Sequence, residues 1–144
     1  MSDGTSTLRV MEPKGFKEVE RKTVKDGERA IAKLNELEWI DGELWANVWQ
    51  TDRIARIDPK TGKVTSWLDC AGILGSHRVR EPRDEVLNGI AWDPAKRKLY
   101  VTGKRWPWLY EIVVVDPATG EQVFPKPVEG ESKPPSNDVP EPGK

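Results

Sequence analysis

The sequence predicts an all-β chain: a partial β-propeller of about two complete blades plus part of a third, ending in a Pro-rich C-terminal tail. Three observations carry that prediction. First, the chain repeats itself. "LNELEWIDGELWANVW" (34–49) aligns with "LNGIAWDPAKRKLYVTGK" (87–104), so that Asn35 matches Asn88 and Trp39 matches Trp92, each 53 positions on. Second, "IDPKTGKV" (57–64) matches "VDPATGEQV" (115–123) at a spacing of 58. A period of this length, holding several short strands, is slightly longer than that of propeller blades and kelch repeats. Third, no segment carries a helical apolar stripe, because Gly, Pro and β-branched residues interrupt every candidate.

The elements follow in order. Residues 7–24, "TLRVMEPKGFKEVERKTV", read strand, Pro/Gly turn, strand, like the second half of "RIARIDPKTGKVTSW" (53–67), and so form the last two strands of an earlier unit. A complete unit begins at "IAKLNELEW". In "GELWANVWQ", strand alternation puts Leu44, Ala46 and Val48 on one face and Trp45, Asn47 and Trp49 on the other. In the second copy, after a two-residue insertion, Trp45 matches Tyr100 and Trp49 matches Lys104. Each unit closes on a "DPxTG" turn, in which Asp-Pro opens the turn and Thr-Gly supplies a hydroxyl and a residue free to take positive φ. From "FPKPVEGESKPPSNDVPEPGK" (124–144) little can be buried. The chain therefore divides into 1–123, the blades, and 124–144, a disordered tail. Blades normally bury their faces by closing a ring. An open array leaves apolar end faces exposed, which allows self-association through them.

Composition excludes several functions. Twenty-three basic residues against 24 acidic give a net charge of −1, so no bulk field attracts nucleic acid. The apolar runs are far short of a bilayer span, and the start, "MSDGTSTLRVMEPKG", has no signal-peptide pattern. One cysteine, Cys70, and one histidine, His77, cannot form a Cys/His zinc site in a single chain. His77 falls in "GSHRVREPRDE", a stretch of loop composition, and reads as an exposed loop residue rather than a triad member.

The residues at the head of each unit carry the chemistry. Trp39, Trp45, Trp67 and Trp92 are expected to pack between blades. Asn35 begins the first strand of its unit, the strand that lines a propeller's channel, and a buried carboxamide there needs partners for two donors and an acceptor. Trp49 falls where its strand runs out into "QTDR", and its repeat mate is Lys104, followed by "RWPW". An aromatic and a cation at equivalent positions of neighbouring units suit the wall of a site; structural satisfaction of Asn35 and core filling by Trp49 remain the other reading.

These residues are also recognisable. "LNELEWIDGELWANVWQTDRIARIDPKTGKV" followed by "VLNGIAWDPAKRKLYVTGKRWPWLYEI" closely resembles the plant-type glutamine cyclotransferases of plants and bacteria, also called glutaminyl-peptide cyclotransferases, from residue 1 to about 115. The resemblance implies a five-bladed β-propeller, of which this chain is the C-terminal portion. It implies conversion of an N-terminal glutaminyl residue to pyroglutamate with release of ammonia, without metal or cofactor, on a peptide or protein that begins with Gln. Neither nucleic acid nor membrane is an expected partner. Family members are often secreted or periplasmic; the compartment of this chain is not fixed by its sequence. Residue by residue, the Asn of "LNELE", Asn35, would bind or polarise the substrate amide. The last Trp of "ANVWQTD", Trp49, would form an aromatic wall. The Lys of "VTGKRW", Lys104, would be the cation at the channel mouth. Glu36 and Trp106 are their expected neighbours in substrate binding, with a solvated or salt-bridged strand residue as the other reading of Glu36. The family's "FTQGL" and "GEGLT" motifs, the second of which supplies a proton-transferring glutamate, do not occur in the 144 residues. The chain alone is therefore expected to be weak or inactive, and the alternative is a degenerate, non-catalytic propeller fragment that binds peptides or a partner.

Overall fold

The structure, a computed structural model, describes residues 1–75 and 84–126; His77 and most of the expected tail lie outside them. Among the described residues every regular element is a strand. Strands β1 (Thr7–Met11) and β2 (Glu18–Thr23) form an antiparallel hairpin, and β3 (Lys25–Asp26) and β4 (Arg29–Ala30) a shorter one. Strands β5 (Leu34–Ile40), β6 (Glu43–Val48), β7 (Arg53–Ile57) and β8 (Val64–Asp69) make a four-stranded antiparallel meander in that order. The turn between β5 and β6 is Asp41-Gly42, both at positive φ (46° and 88°), the type I′ geometry whose twist suits a two-residue hairpin.

The second unit repeats this order. Strands β9 (Leu87–Asp93), β10 (Lys98–Gly103) and β11 (Tyr110–Ile112) pair in sequence, and β12 (Val114–Val115) pairs with β13 (Gln122–Phe124). Strands β11 and β12 together occupy the place of β7, interrupted at Val113. The "DPxTG" turns fold alike. Gly62 N–H donates to Asp58 O (2.8 Å) and Lys60 N–H to the Asp58 carboxylate (2.8 Å). In the second copy Gly120 N–H donates to Asp116 O (2.7 Å) and Ala118 N–H to the Asp116 carboxylate (2.7 Å). Both glycines take positive φ, 75° and 71°. At Gly62 a Cβ would also stand 2.7 Å from Thr23 O, so this turn must be glycine to let β2 approach.

The β5–β8 sheet is covered on both faces. Leu44, Ala46, Val48, Ala55 and Ile57 pack with Leu8, Val24 and Ile31 from the N-terminal hairpins. Trp45, Ile54 and Leu68 pack with Leu87, Ile90, Leu99, Val101 and Phe124 from the second unit. The alternation along β6 is therefore the expected one, with each face buried against a different neighbour. Trp45 is fully buried, and Trp92 and Trp67 are partly buried. Trp39 departs from expectation: it is 58% exposed. It lies one residue from the end of β5 opposite the partly buried Leu44, on the face away from Ile40, which is itself buried.

The tail boundary expected at 123/124 also moves. Phe124 ends β13 and is buried with Pro125, because an aromatic side chain there fills the gap between the two units. Cys70 is buried too, and burial, with Asp69 and Asp52 nearby, pushes its thiol up to about 11, so it is an inert core residue rather than a nucleophile.

Candidate active site

Strand register places the expected residues on a repeated irregularity. Leu34 pairs with Val48 and Leu37 with Ala46, so Asn35 and Glu36 together stand opposite the single residue Asn47. In the second unit Ile90 pairs with Val101 and Leu87 with Gly103, so Asn88 and Gly89 stand opposite Thr102. Both units thus carry a β-bulge at the same place, and a bulge re-aims the side chains it carries. The Gly of the second bulge is required by space, since a Cβ at Gly89 would come within 2.7 Å of Thr102 Cγ2; Asn47 is not β-branched, and the first bulge holds Glu36.

The other end of each hairpin repeats as well. Trp49 N–H donates to Lys33 O (2.9 Å) and Lys104 N–H to Val86 O (2.9 Å). The following residues, Gln50 and Arg105, both take left-handed φ, 64° and 60°. Trp49 and Lys104 are therefore structural equivalents, each fixed beside the bulge of its own unit. Strands β5 and β9 lie side by side in the same direction. The Glu36 carboxylate accepts from Ile90 N–H (3.0 Å) and that of Glu38 from Trp92 N–H (2.9 Å). That parallel placement brings Asn35, Trp49 and Lys104 to the same end of two adjacent units.

The five expected residues differ in what holds them. The Asn35 carboxamide has no hydrogen-bond partner among the described residues, while its backbone carbonyl accepts from Ser2 Oγ (2.5 Å). Trp49 is half-buried with its indole N–H enclosed and, among the described residues, unpartnered, and the Lys33 ammonium sits 5.8 Å from the ring centroid. The Lys104 side chain is exposed. Glu36 and Trp106 each make contacts within the fold. One Glu36 oxygen ties β5 to β9. Trp106 lies across Gly103, donates its indole N–H to Glu85 O (3.2 Å), and meets Tyr110 edge-on at 6.1 Å. Two clefts, of about 320 and 300 Å3, lie elsewhere, one lined by Leu8, Val10, Leu44 and Ile57, the other by Trp45, Arg56, Arg97 and Phe124.

Sequence reading missed Asn47 and Glu38. Asn47 is wholly buried (0% exposed), and its Oδ1 accepts from Gly89 N–H at 3.0 Å. The signal for both lay in the comparison of copies, where Glu36, Glu38 and Asn47 of the first unit are equivalent to Gly89, Ala91 and Thr102 of the second.

Burial raises the pKa of Glu36; the Ile90 N–H lowers it less, and Glu38 adds a further rise. The folded state thus holds this proton to higher pH than the unfolded chain does, and the stability contribution of the group falls as pH rises from about 4.5 through the folded value. Replacement of Glu36 by Gln keeps an acceptor for Ile90 N–H and is expected to remove that fall, leaving stability at pH 7 equal or higher. Replacement by Ala orphans the N–H and is expected to cost about 1–3 kcal/mol. Urea melts of the three proteins from pH 4 to 8 check both, and equal losses in Gln and Ala would show that the tie to Ile90 contributes nothing.

The fold and site together define an all-β repeat protein whose adjacent units present an amide, an aromatic ring and an ammonium at one end. Residues 1–114 match the glutamine cyclotransferase family. The chain is 50% identical over 116 residues to the glutaminyl-peptide cyclotransferase of Arabidopsis thaliana, covering 77% of this chain and 35% of that protein. The crystal structure of Myxococcus xanthus glutaminyl cyclase matches with a TM-score of 0.69 at 36% identity, over 76% of this chain and 48% of that one. The chain belongs to the glutamine cyclotransferase family, and it spans about a third to a half of the length of these relatives.

Proposed function

We propose that this chain supplies the C-terminal blades of a five-bladed β-propeller that converts N-terminal glutaminyl residues of peptides or proteins to pyroglutamate. The observation that carries the reading is the family match across both bulges, at the end where Asn35, Trp49 and Lys104 gather. The exposed Val113, Val115 and Val123 fit the outer face of a blade that a further blade, or a second chain, would cover.

In the reaction the free α-amine attacks the γ-carboxamide carbon of the same residue. A five-membered ring closes, and the tetrahedral centre expels ammonia once a proton has moved from the attacking nitrogen to the leaving one. Because the step is intramolecular, holding the cyclising conformer is much of the task. The Trp49 ring is the apolar wall that orders a short side chain and excludes water. The Asn35 carboxamide, without a partner among the described residues, donates to the substrate carbonyl oxygen, and the Lys104 ammonium supports the charge that develops there. A carboxyl group suited to shuttle the proton belongs, by family resemblance, to the "GEGLT" motif. No such motif is present in this sequence, so turnover by the chain alone is expected to be slow.

Enzyme-coupled ammonia release from a Gln-initiated peptide tests the roles. Asn35→Ala and Lys104→Ala are each expected to lower kcat by about a hundredfold, the usual effect of losing one oxyanion donor. Rates unchanged in both would sink the assignment.

A further inference from the structure

We propose that Asn47 is the positioning residue of this site. Its buried carboxamide ties the bulge that carries Asn35 to the bulge of the next unit, and so sets where Asn35 and Lys104 stand relative to each other. The consequence for turnover rests on the roles proposed for those two residues; the geometry does not.

Asn47 is the buried polar side chain of the core, 0% exposed among the described residues. It stands on β6 directly opposite Asn35 and Glu36, and its Oδ1 accepts from Gly89 N–H across the boundary between units. The amide orientation follows from that bond, since the flipped carboxamide would aim its NH2 at another donor. From Gly89 the path to Lys104 is short. Leu87, two residues earlier, pairs with Gly103, and Val86 O holds the Lys104 N–H at 2.9 Å.

The second unit shows what a bulge of this kind needs and what it does not. The place of Asn47 there belongs to Thr102, whose hydroxyl turns away to Trp108 O (2.8 Å). The strand and its bulge therefore form without asparagine, and the carboxamide of the first unit serves the neighbour. It does so at a cost, because its NH2 is enclosed without a partner among the described residues, and a buried unsatisfied donor is unfavourable. The Glu36 and Glu38 ties run from β5 and are carboxylates on half-buried side chains. The tie from Asn47 is neutral and fully enclosed, and it is the one that ends on a residue of the second bulge, Gly89.

The test uses the 15N-labelled chain and two substitutions. Asn47→Thr installs the residue that the equivalent position accepts and withdraws the acceptor. Asn47→Asp keeps an oxygen for Gly89 N–H in either protonation state. With Asn47→Thr, Gly89 N–H is expected to lose at least tenfold in exchange protection, and the Asn35 side-chain and Lys104 backbone resonances to shift. With Asn47→Asp all three should stay near their native values. Where the native chain turns over a Gln-initiated peptide, Asn47→Thr should lower kcat at least tenfold with KM within about threefold, and Asn47→Asp should restore most of it. Unshifted Asn35 and Lys104 resonances in Asn47→Thr overturn the proposal, and so do shifts in Asn47→Asp as large as those in Asn47→Thr. A native chain that binds and cyclises nothing counts against the proposed reaction, while the resonances still decide the positioning role.

Discussion

Replacement of Phe124 by alanine is expected to lower the stability of the chain by about 3–5 kcal/mol, the range for removing a buried aromatic side chain. Phe124 is 7% exposed. Its ring centroid lies 5.1 Å from that of Trp45 in the first unit and 5.0 Å from that of Trp92 in the second, tilted by 50° and 44°. Tilted rings at this separation add to the gain from area alone. Trp45 is itself fully buried among Ile54, Leu68 and Leu87, so the space left by Phe124 opens onto the centre of the larger core cluster. A domain of this size has about 5–15 kcal/mol of stability in all, and the loss is a large share of it. Phe124→Leu, which keeps most of the volume, is expected to be clearly milder. Urea melts followed by tryptophan fluorescence measure both. A Phe124→Ala loss below about 1 kcal/mol would mean that β13 is not part of the cooperative unit. The residues that match the family end at 114, so the same experiment tells whether the segment beyond them contributes to the fold.

Much of the fold was legible because repetition doubles the signal. The "DPxTG" segments recur with the same hydrogen bonds, and Trp49 and Lys104, matched by counting residues, take the same backbone bond beside the same left-handed residue. The two faces of β6 also followed from alternation, since period 2 leaves no other choice. Alternation does not say how completely a face is covered, and Trp39 is exposed although Ile40 beside it is buried. It does not say what a polar residue on an inner face will bond to, either. Glu36 was open to two readings, and only the register of β5 against β9 shows its carboxylate on Ile90 N–H. Asn47 was hidden by its tryptophan neighbours: a single small amide between Trp45 and Trp49 carries no periodic signal, and its partner Gly89 lies 42 residues away. The composition around Phe124 is set by the prolines that follow it, whereas its own burial depends on two tryptophans from other strands.

Gly103→Ala is expected to cost about 2 kcal/mol or more, and the loss should disappear when Trp106 is also removed. A Cβ at position 103 would stand 2.3, 2.4 and 2.5 Å from Trp106 Cε2, Cδ2 and Nε1, separations that real Cβ atoms do not tolerate. Gly103 does not need a left-handed backbone, so the objection is to volume alone, and overpacking of this kind typically costs about 1–3 kcal/mol. The ring cannot slide freely to make room. Its indole N–H is bound to Glu85 O, Tyr110 meets it edge-on, and the Trp106 backbone N–H returns to Gly103 O at 3.1 Å. In Trp106→Ala the space is open, and Gly103→Ala should then fall within about 0.5 kcal/mol of neutral, since alanine fits a strand at least as well as glycine. Denaturant melts of the four proteins close the cycle, and residues in contact are where additivity fails. The cycle also decides between two roles for Trp106. A ring that plugs the space over Gly103 gives strong coupling. A ring that stands free in the site, as a substrate contact would, gives additive losses.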